Sequence, residues 1–368
     1  MRIAYDPQAF VLQPYGGISR YFTRLSLELN NLDQDVCIFA DVHRNYYLNE
    51  LPKNIKNDSF VQSYPRYSWR LYYLYSQLIS RNKIAKWKPD IVHETYYSRF
   101  GSSPYKCPTV LTIYDMIHEV YSESLSFFDR TIHVKKSAIA RADKIICISE
   151  NTRNDLMRFY DVNPQKVSVV HLGFEDFNLI ETTSLASLTL PHKPFLLFVG
   201  LRAGYKNFIG LLKAAASSSR LMNDFDIVAY GGGMFSDQEA KTIKALGFRE
   251  GQVRHFLGGD ENLAFLYKKA TVFIYPSLYE GFGMPPLEAM RVGCPVVASH
   301  TSSMPEVLGN GANYFNSADI EDIRKSIEQV VYSDTKIKEL KKFGKYQASL
   351  YSWEKCAKET LSIYRKCV

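Results

Sequence analysis

Short apolar runs rich in β-branched and aromatic residues alternate along the chain with longer stretches whose apolar residues recur at helical spacing. Such runs predict buried strands, and their alternation with helices predicts parallel sheets in an α/β protein. The predicted strands form two sets. The first set is Arg2–Tyr5, Val36–Ala40, Asp90–His93, Thr109–Tyr114, Lys144–Ser149 and Val167–His171, and the second is Phe195–Gly200, Asp226–Tyr230, Val253–Leu257, Thr271–Tyr275, Pro295–Ala298 and Asn313–Phe315.

The stretch between the two sets has little periodicity and ends with Pro191 and Pro194. A chain of 368 residues also suits about two domains. We therefore predict a first domain over residues 1–175, a linker over 176–194, a second domain over 195–350 and a separate C-terminal segment over 351–368.

The most informative segment follows the predicted strand Thr271–Tyr275 and contains Glu280 in a glycine loop and Glu288 near a helix start. Pro285 and the proline after it suit the first positions of that helix. Glycines at 281 and 283 let the backbone approach a ligand, and helix N–H groups attract anionic oxygen. A glutamate in a first turn can also merely complement the helix dipole, which explains Glu288 better than Glu280.

Two other loops carry candidate ligand-binding groups. Arg202 and Lys206 follow the predicted strand Phe195–Gly200, where two cations could bind two phosphates. Gly16 and Gly17 follow the first strand, with Arg20 one helical turn further on. The alternatives are a solvated cation pair and an exposed helical arginine.

Titratable side chains also end the strands of the first set. Asp115 follows the fourth predicted strand, His118 lies three residues later, and His93 ends the third strand. The carboxyl ends of parallel strands share one edge, so these groups could line a site, although a lone histidine is more often structural.

The eleven residues from Glu280 to Met290 resemble the E-x7-E signature of retaining glycosyltransferases of family 4. The resemblance extends over nearly the whole chain. It implies the GT-B fold, in which two Rossmann-like, doubly wound parallel-sheet domains face each other across a cleft. It also implies that the second domain holds the nucleotide sugar, that the first holds the acceptor, and that the segment from Tyr351 crosses back to the first domain. An ordinary amphipathic C-terminal helix is the alternative for that segment.

The resemblance assigns roles to the candidate residues. It implies that Glu280 and Asp115 are catalytic. Many relatives carry a His-Asp pair at the latter position, but Tyr114 stands where the histidine is expected. The expected donor-binding residues are Arg202, Lys206, Gly17, Gly283 and Met284 for the diphosphate, Glu288 for the ribose, and Glu280, Gly281 and Phe282 for the sugar. The expected acceptor-side residues are His118, His93 and Arg20.

The net charge of +7 suits an acidic partner, which could be a diphosphate, an anionic lipid or nucleic acid. Residues 66–88 are basic and aromatic and contain no acidic residue. A helix of that composition can lie on a membrane surface, or it can pack its aromatic rings inward while its cations are solvated. The sequence favours neither alternative.

We expect a retaining hexosyltransferase in surface polysaccharide synthesis. Its expected donor is a nucleoside-diphosphate sugar, with GDP-mannose as the candidate, and its expected acceptor is a lipid-linked saccharide. No metal or cofactor is expected, because no Asp-x-Asp lies in a metal-binding context and the six cysteines form no C-x-x-C pair. Without a signal peptide or an apolar stretch of about 18 residues, we expect a cytoplasmic protein, with peripheral attachment to the inner membrane face as an option. A sugar-nucleotide epimerase or hydrolase is one alternative. A non-enzymatic nucleotide- or polyanion-binding module is another, and the spread of the cations argues against it.

Overall fold

The computed structural model describes residues 1–104, 107–122, 129–180, 191–202 and 204–368. It divides into two compact units, one of Met1–Gly173 together with Ser352–Val368 and the other of Phe174–Tyr351. Residues 181–190 of the predicted linker lie outside the described residues.

The first unit contains a parallel sheet of seven strands in the order β3-β2-β1-β4-β5-β6-β7. Its strands are β1 (Arg2–Tyr5), β2 (Asp35–His43), β3 (Lys56–Phe60), β4 (Ile91–Glu94), β5 (Thr109–Ile113), β6 (Lys144–Cys147) and β7 (Val167–Val169). Its helices are α1 (Gln8–Leu12), α2 (Gly17–Asn31), α3 (Tyr46–Asn49), α4 (Trp69–Trp87), α5 (Ile117–Val120), α6 (Thr131–Arg141) and α7 (Glu150–Phe159).

The second unit contains a parallel sheet of six strands in the order β10-β9-β8-β11-β12-β13. Its strands are β8 (Phe195–Val199), β9 (Asp226–Tyr230), β10 (Val253–Phe256), β11 (Val272–Tyr275), β12 (Val296–Ser299) and β13 (Ala312–Phe315). Its helices are α8 (Phe208–Ala216), α9 (Ser219–Asp224), α10 (Asp237–Ala245), α11 (Asp260–Lys269), α12 (Met284–Arg291), α13 (Met304–Leu308), α14 (Ile320–Val331) and α15 (Asp334–Ser349). The last helix of the chain, α16 (Trp353–Arg365), belongs to the first unit.

Every strand predicted from the apolar runs is present, with ends no more than three residues from the expected ones. Central strands such as β8 and β11 are buried along their whole length, as expected for a sheet covered by helices on both faces. The strand β3 was not predicted, because its Lys-Asn-Asp-Ser-Phe sequence is polar and it lies at the edge of the first sheet.

The strand order of the second sheet defines its ligand-binding edge. Counted from β8, the order is 3-2-1-4-5-6, in which the direction of winding reverses between β8 and β11. The first sheet reverses in the same way between β1 and β4. Open α/β sheets bind ligands beyond the carboxyl ends of their strands at such a switch point. The loops after these four strands are therefore where a site is expected.

Candidate active site

Lys206 and Glu280 meet at the switch point of the second sheet. Lys206 comes from the loop after β8 and Glu280 from the loop after β11, and the lysine Nζ donates to the glutamate Oε1 at 2.6 Å. The hydroxyl of Tyr275, the last residue of β11, lies 3.4 Å from the same Nζ. Two residues that are 74 positions apart in sequence thus form one charged pair at the predicted ligand-binding edge.

The backbone of the Glu280 loop is held by its neighbours. The amide of Leu278 donates to the carbonyl of Tyr205 at 2.7 Å, which joins this loop to the one that carries Lys206. The amide of Glu280 donates to Ser302 Oγ at 2.9 Å, and Ser303 Oγ donates to the carbonyl of Glu280 at 2.9 Å. The carboxylate therefore stands on a fixed backbone.

The surroundings of Lys206 keep this side chain charged. Burial opposes the charged form of Lys206, but the carboxylate of Glu280 outweighs it and raises the pKa of the lysine above its usual value. Lys206 is thus a permanent cation whose partner is a carboxylate. An anionic ligand can replace that carboxylate without a change of protonation.

The start of α12 lies beside the pair. Gly283 precedes the helix with φ of +98°, a conformation that suits glycine. A Cβ on this residue would lie 2.5 Å from Cε of Met304. Pro285 and Pro286 carry no N–H group, so the amides at Gly283 and Met284 are the donors that this end of the helix can direct at an anion.

The other candidate residues of the motif are buried. Glu288 lies in the second turn of α12, is buried, and accepts a bond from the hydroxyl of Tyr267 at 3.3 Å. The ring of Phe282 is buried edge-on against Tyr351, with 5.6 Å between the centroids. Phe282 and Gly281 can therefore reach a ligand only through their backbone, and binding of the ribose by Glu288 stays a prediction.

Arg202 has a bracing role in this structure. Its guanidinium donates to Glu239 at 2.8 Å and to the carbonyls of Gly231, Gly233 and Met234 at 2.8 to 2.9 Å. These bonds tie the loop after β8 to the glycine loop after β9. Direct binding of a diphosphate by Arg202 stays a prediction, and it would require these bonds to be exchanged.

In the first unit, Gly17 is the first residue of α2 and is exposed, and its role in diphosphate binding stays a prediction. Arg20 lies on the same helix, donates to the hydroxyl of Tyr47 at 2.6 Å and covers the ring of that tyrosine. Its acceptor-binding role stays a prediction.

The predicted acceptor-side residues after β4 and β5 differ in their surroundings. Asp115 is half-buried and accepts from the amide of Ile117, and His118 Nδ1 lies 3.1 Å from Asp129 Oδ2. The prediction that His93 lines the acceptor side is wrong. Its ring is fully buried, with Nδ1 2.6 Å from the hydroxyl of Tyr364 and Nε2 2.8 Å from Oγ1 of Thr112, so neither nitrogen can reach a ligand.

A network of buried carboxylates at the switch point of the first sheet was missed. Asp6 follows β1 and Glu94 ends β4, and both are fully buried. Arg141 donates to both oxygens of Glu94, at 3.0 and 2.5 Å. Burial raises the pKa of Glu94 to about 7, although the guanidinium opposes the shift. An acidic residue directly at the end of an apolar strand was the available signal.

Within the described ranges, no three His, Cys, Asp or Glu side chains are grouped as a metal site would require. In the same ranges, no helix combines the length and the apolar character of a bilayer span.

Comparisons with known proteins agree with this fold. Over 250 residues the chain is 30% identical to an O-antigen chain mannosyltransferase B of Escherichia coli, a match that covers 64% of this chain and 65% of that relative. A sucrose-phosphate synthase from Thermosynechococcus elongatus superposes with a TM-score of 0.79 at 20% identity, over 100% of this chain and 98% of that one. The Anabaena protein HepE, in complex with UDP and glucose, superposes with a TM-score of 0.73 at 17% identity, over 98% and 99% of the two chains.

Two parallel sheets of Rossmann-like topology, together with these neighbours, define the GT-B fold. The chain belongs to this class. More particularly, residues 15–176 match the family model described as Glycosyltransferase Family 4, and residues 182–349 match the one described as Glycosyl transferases group 1.

Proposed function

We propose that the protein is a retaining hexosyltransferase that transfers a sugar, with GDP-mannose as the first donor to test, to a saccharide acceptor of a bacterial surface polysaccharide. The observation that carries the proposal is the Lys206–Glu280 pair, which joins the two loops of the second sheet's switch point. The O-antigen mannosyltransferase similar to this chain supports the choice of sugar, and the UDP complex of a structural neighbour supports a nucleotide-bound donor.

In this proposal the second unit binds the donor. Lys206 turns from Glu280 to the diphosphate, and the amides at Gly283 and Met284 hold its oxygens. Glu280, released from the lysine, accepts hydrogen bonds from the hydroxyls of the donor sugar, and Glu288 binds the ribose. Gly17, at the amino end of α2, is a further candidate for the diphosphate.

The chemistry requires departure of a nucleoside diphosphate from the anomeric carbon. The transition state resembles an oxocarbenium ion, and negative charge grows on the leaving phosphate. Once it has turned from Glu280 to the diphosphate, the Lys206 cation stabilises that growing charge. Asp115, on the first unit, is the proposed catalytic partner on the acceptor side, with Arg20 and His118 as acceptor-binding candidates.

A thermal-shift screen against UDP, GDP, ADP, TDP and CMP tests the donor site. A nucleotide that binds only the folded protein raises the melting temperature, and about 100-fold excess over Kd stabilises by about 2.7 kcal/mol. We expect GDP to give the largest shift. Lys206→Ala should reduce it, whereas Lys213→Ala, an exposed lysine on α8, should not.

Glu280→Gln tests the reaction itself. We expect transfer from the cognate donor to fall at least about 100-fold while the protein stays folded and keeps its nucleotide shift. Glu250→Gln, at an exposed position, is the matched control and should transfer normally. NMR of the product reports whether the anomeric configuration is retained. Full turnover by folded Glu280→Gln would disprove the site, and sugar release without any acceptor would point to a hydrolase.

We also propose that the enzyme works on a lipid-linked acceptor and docks on an anionic membrane surface through α4. The apolar residues Leu71, Leu74, Tyr75 and Leu78 recur at helical spacing and are all more than half exposed, up to 69% at Leu71. No acidic residue occurs between Asp58 and Asp90. An apolar stripe flanked by cations is the pattern of a helix that lies in a headgroup layer.

The two interpretations of residues 66–88, inward packing of the rings and docking on a membrane, apply to different faces of α4. Tyr73 donates to Gln8, and Trp87 packs edge-on against Phe39, so these rings face the protein. The stripe defined above faces solvent. Only that second face supports the docking proposal.

Sedimentation with vesicles tests it. We expect the protein to bind vesicles containing about a third phosphatidylglycerol and to leave pure phosphatidylcholine vesicles in the supernatant. The triple variant Leu71→Ser, Leu74→Ser, Leu78→Ser should bind at least about tenfold more weakly at an unchanged melting temperature. Leu350→Ser, an exposed leucine of the second unit, is the control. Equal sedimentation of the triple variant and the wild type would refute the assignment.

A further inference from the structure

The loop after β4 carries an exposed arginine-aromatic pair beside the switch point of the first sheet. Phe100 is 66% exposed, and the guanidinium of Arg99, also exposed, lies 5.8 Å from the centre of its ring. The loop begins directly after Glu94, at the carboxyl edge where ligands of parallel sheets bind.

Both ends of this loop are fixed by Asp6. Its carboxylate accepts from the amide of Thr95 at 2.8 Å and from the hydroxyl of Thr95 at 2.6 Å. Its other oxygen accepts from Ser102 Oγ at 2.9 Å and from the side-chain amide of Gln8 at 2.5 Å. Asp6 therefore holds both the first residue of the loop and the residue two positions beyond Phe100.

Glu94 and Arg141 hold the last residue and the middle of the loop. Glu94 accepts from the amide of Ser102 at 3.1 Å. Arg141, which is bound to Glu94, also donates to the carbonyl of Ser98 at 2.7 Å and to its hydroxyl at 3.1 Å. Ser98 Oγ in turn donates to the carbonyl of Phe100 at 2.5 Å. The tip of the loop is thus braced directly beneath the exposed ring.

This anchoring is more than a connection between two strands needs. A buried carboxylate is costly unless hydrogen bonds satisfy it, and here two such groups serve one short loop. The result is a braced backbone that carries a large, exposed apolar ring. Rigid presentation lowers the ordering cost of binding, and aromatic faces with adjacent hydrogen-bond donors suit ligands that combine C–H faces with hydroxyls.

We infer that residues 95–102 form a preformed saccharide-binding loop, in which Phe100 stacks on a pyranose ring of the acceptor and Arg99 donates to its hydroxyls. Asp6 and Glu94 are positioning residues that act through Thr95, Ser102 and Arg141. This inference rests on the proposed function for the identity of the ligand as an acceptor saccharide.

The chain offers a matched control. Arg158 and Phe159 form a second exposed pair on the first unit, with the guanidinium 5.2 Å from the ring centre. They end α7, a helix that runs back from the carboxyl edge, and so they lie away from the proposed site. If the loss of any exposed Arg-Phe pair disturbed the enzyme, variants of both pairs would show the same effect.

The test measures steady-state transfer to an α-linked mannotriose with the full-length protein, together with binding of that trisaccharide by saturation-transfer NMR. We expect Phe100→Ala to raise the acceptor KM about tenfold or more and to weaken the NMR signal, with the donor KM unchanged. Arg99→Ala should act in the same direction. Phe159→Ala and Arg158→Ala should match the wild type.

The outcomes separate this inference from the proposed function. Donor turnover with an acceptor KM and an NMR signal that do not depend on Phe100 would overturn the inference alone. Trisaccharide binding that depends on Phe100 in a protein without transferase activity would overturn the proposed function alone. Equal effects from the Phe100 and Phe159 variants would also overturn the inference.

Asp6→Asn tests the positioning role. The amide keeps the shape of the carboxylate but places an N–H₂ group where the carboxylate accepts from Thr95 or Ser102, so the loop should shift. We expect a higher acceptor KM and an unchanged donor KM, a split that a general loss of stability would not produce. An unchanged acceptor KM in folded Asp6→Asn would remove Asp6 from the inference. If the variant does not fold, the Phe100 and Arg99 variants decide the matter.

Discussion

At the scale of single residues, a side chain's role depends on what surrounds it more than on its type. His93 is a histidine at a strand end, a typical place for a ligand-binding group, yet it is buried between Tyr364 and Thr112. Burial lowers its pKa to about 3, so the folded protein keeps the ring neutral. His93 therefore contributes to the stability of the fold and makes that stability depend on pH.

His93 should make the protein less stable in mild acid. Its pKa is about 3 in the folded protein and 6.5 for an unperturbed histidine, so between these values the unfolded chain binds more protons. Above about pH 6.5 the neutral ring makes its full contribution to the free energy of unfolding, and about 2 kcal/mol of that free energy is lost by pH 5. Urea unfolding of His93→Gln across this range should show a shallower fall of the unfolding free energy than the wild type. His192→Gln, at an exposed position, is the control, and equal slopes for His93→Gln and wild type would contradict the assignment.

At the scale of elements, the junction between β11 and α12 depends on one glycine. The φ of +98° at Gly283 turns the chain into a helix whose next residues include two prolines, so Gly283 and Met284 are the residues at this helix start that carry N–H groups. The helix start, the ion pair and the backbone bonds to Ser302 and Ser303 form a single unit of structure.

Gly283→Ala should weaken both the fold and the donor site. An alanine there would have to adopt a left-handed backbone conformation, which costs free energy. Its Cβ would also lie 2.5 Å from Met304 Cε. We expect a loss of about 2 kcal/mol in the free energy of unfolding and a smaller melting-temperature shift with nucleotide. Gly247 has a φ of +83°, and a Cβ there would meet no atom within 4 Å. Gly247→Ala should therefore lose only about 1 kcal/mol of unfolding free energy and keep the melting-temperature shift with nucleotide. Equal nucleotide shifts for the two variants would show that Gly283 does not shape the donor site.

At the scale of the whole molecule, the chain returns to the first unit after completing the second. The helix α16 packs there with its Trp353 backbone against Gly173, so closely that a Cβ on Gly173 would lie 2.3 Å from the Trp353 nitrogen. The first and last parts of the sequence therefore fold as one unit.

Gly173→Ala should destabilise the first unit selectively. The obstacle is backbone and cannot move aside cheaply, so we expect a loss of about 3 kcal/mol. All three tryptophans, Trp69, Trp87 and Trp353, lie in the first unit, so their fluorescence follows its unfolding alone. Circular dichroism follows both units, and the nucleotide shift reports on the second. Gly259→Ala, whose Cβ would meet nothing within 4 Å, should leave the tryptophan transition in place. A wild-type transition in Gly173→Ala would show that α16 does not need this close approach.

The amino-acid sequence by itself determined the α/β class, all but one of the strands, and the strand-loop-helix segment that carries Glu280 and Glu288. These features depend on local rules, since apolar periodicity marks buried strands and glycines and prolines mark loops and helix starts. The polar edge strand Lys56–Phe60 was missed because an edge position needs no apolar run.

Only the tertiary structure decided what each candidate side chain contacts. It paired Lys206 with Glu280, turned Arg202 onto the carbonyls of a glycine loop, and closed His93 under Tyr364, which is 271 residues away in sequence. It left the apolar stripe on α4 exposed and held the loop of residues 95–102 with Asp6. The physical reason is that burial, ion pairing and hydrogen bonding depend on distances in space, and those distances are set by residues that the chain brings together from far apart.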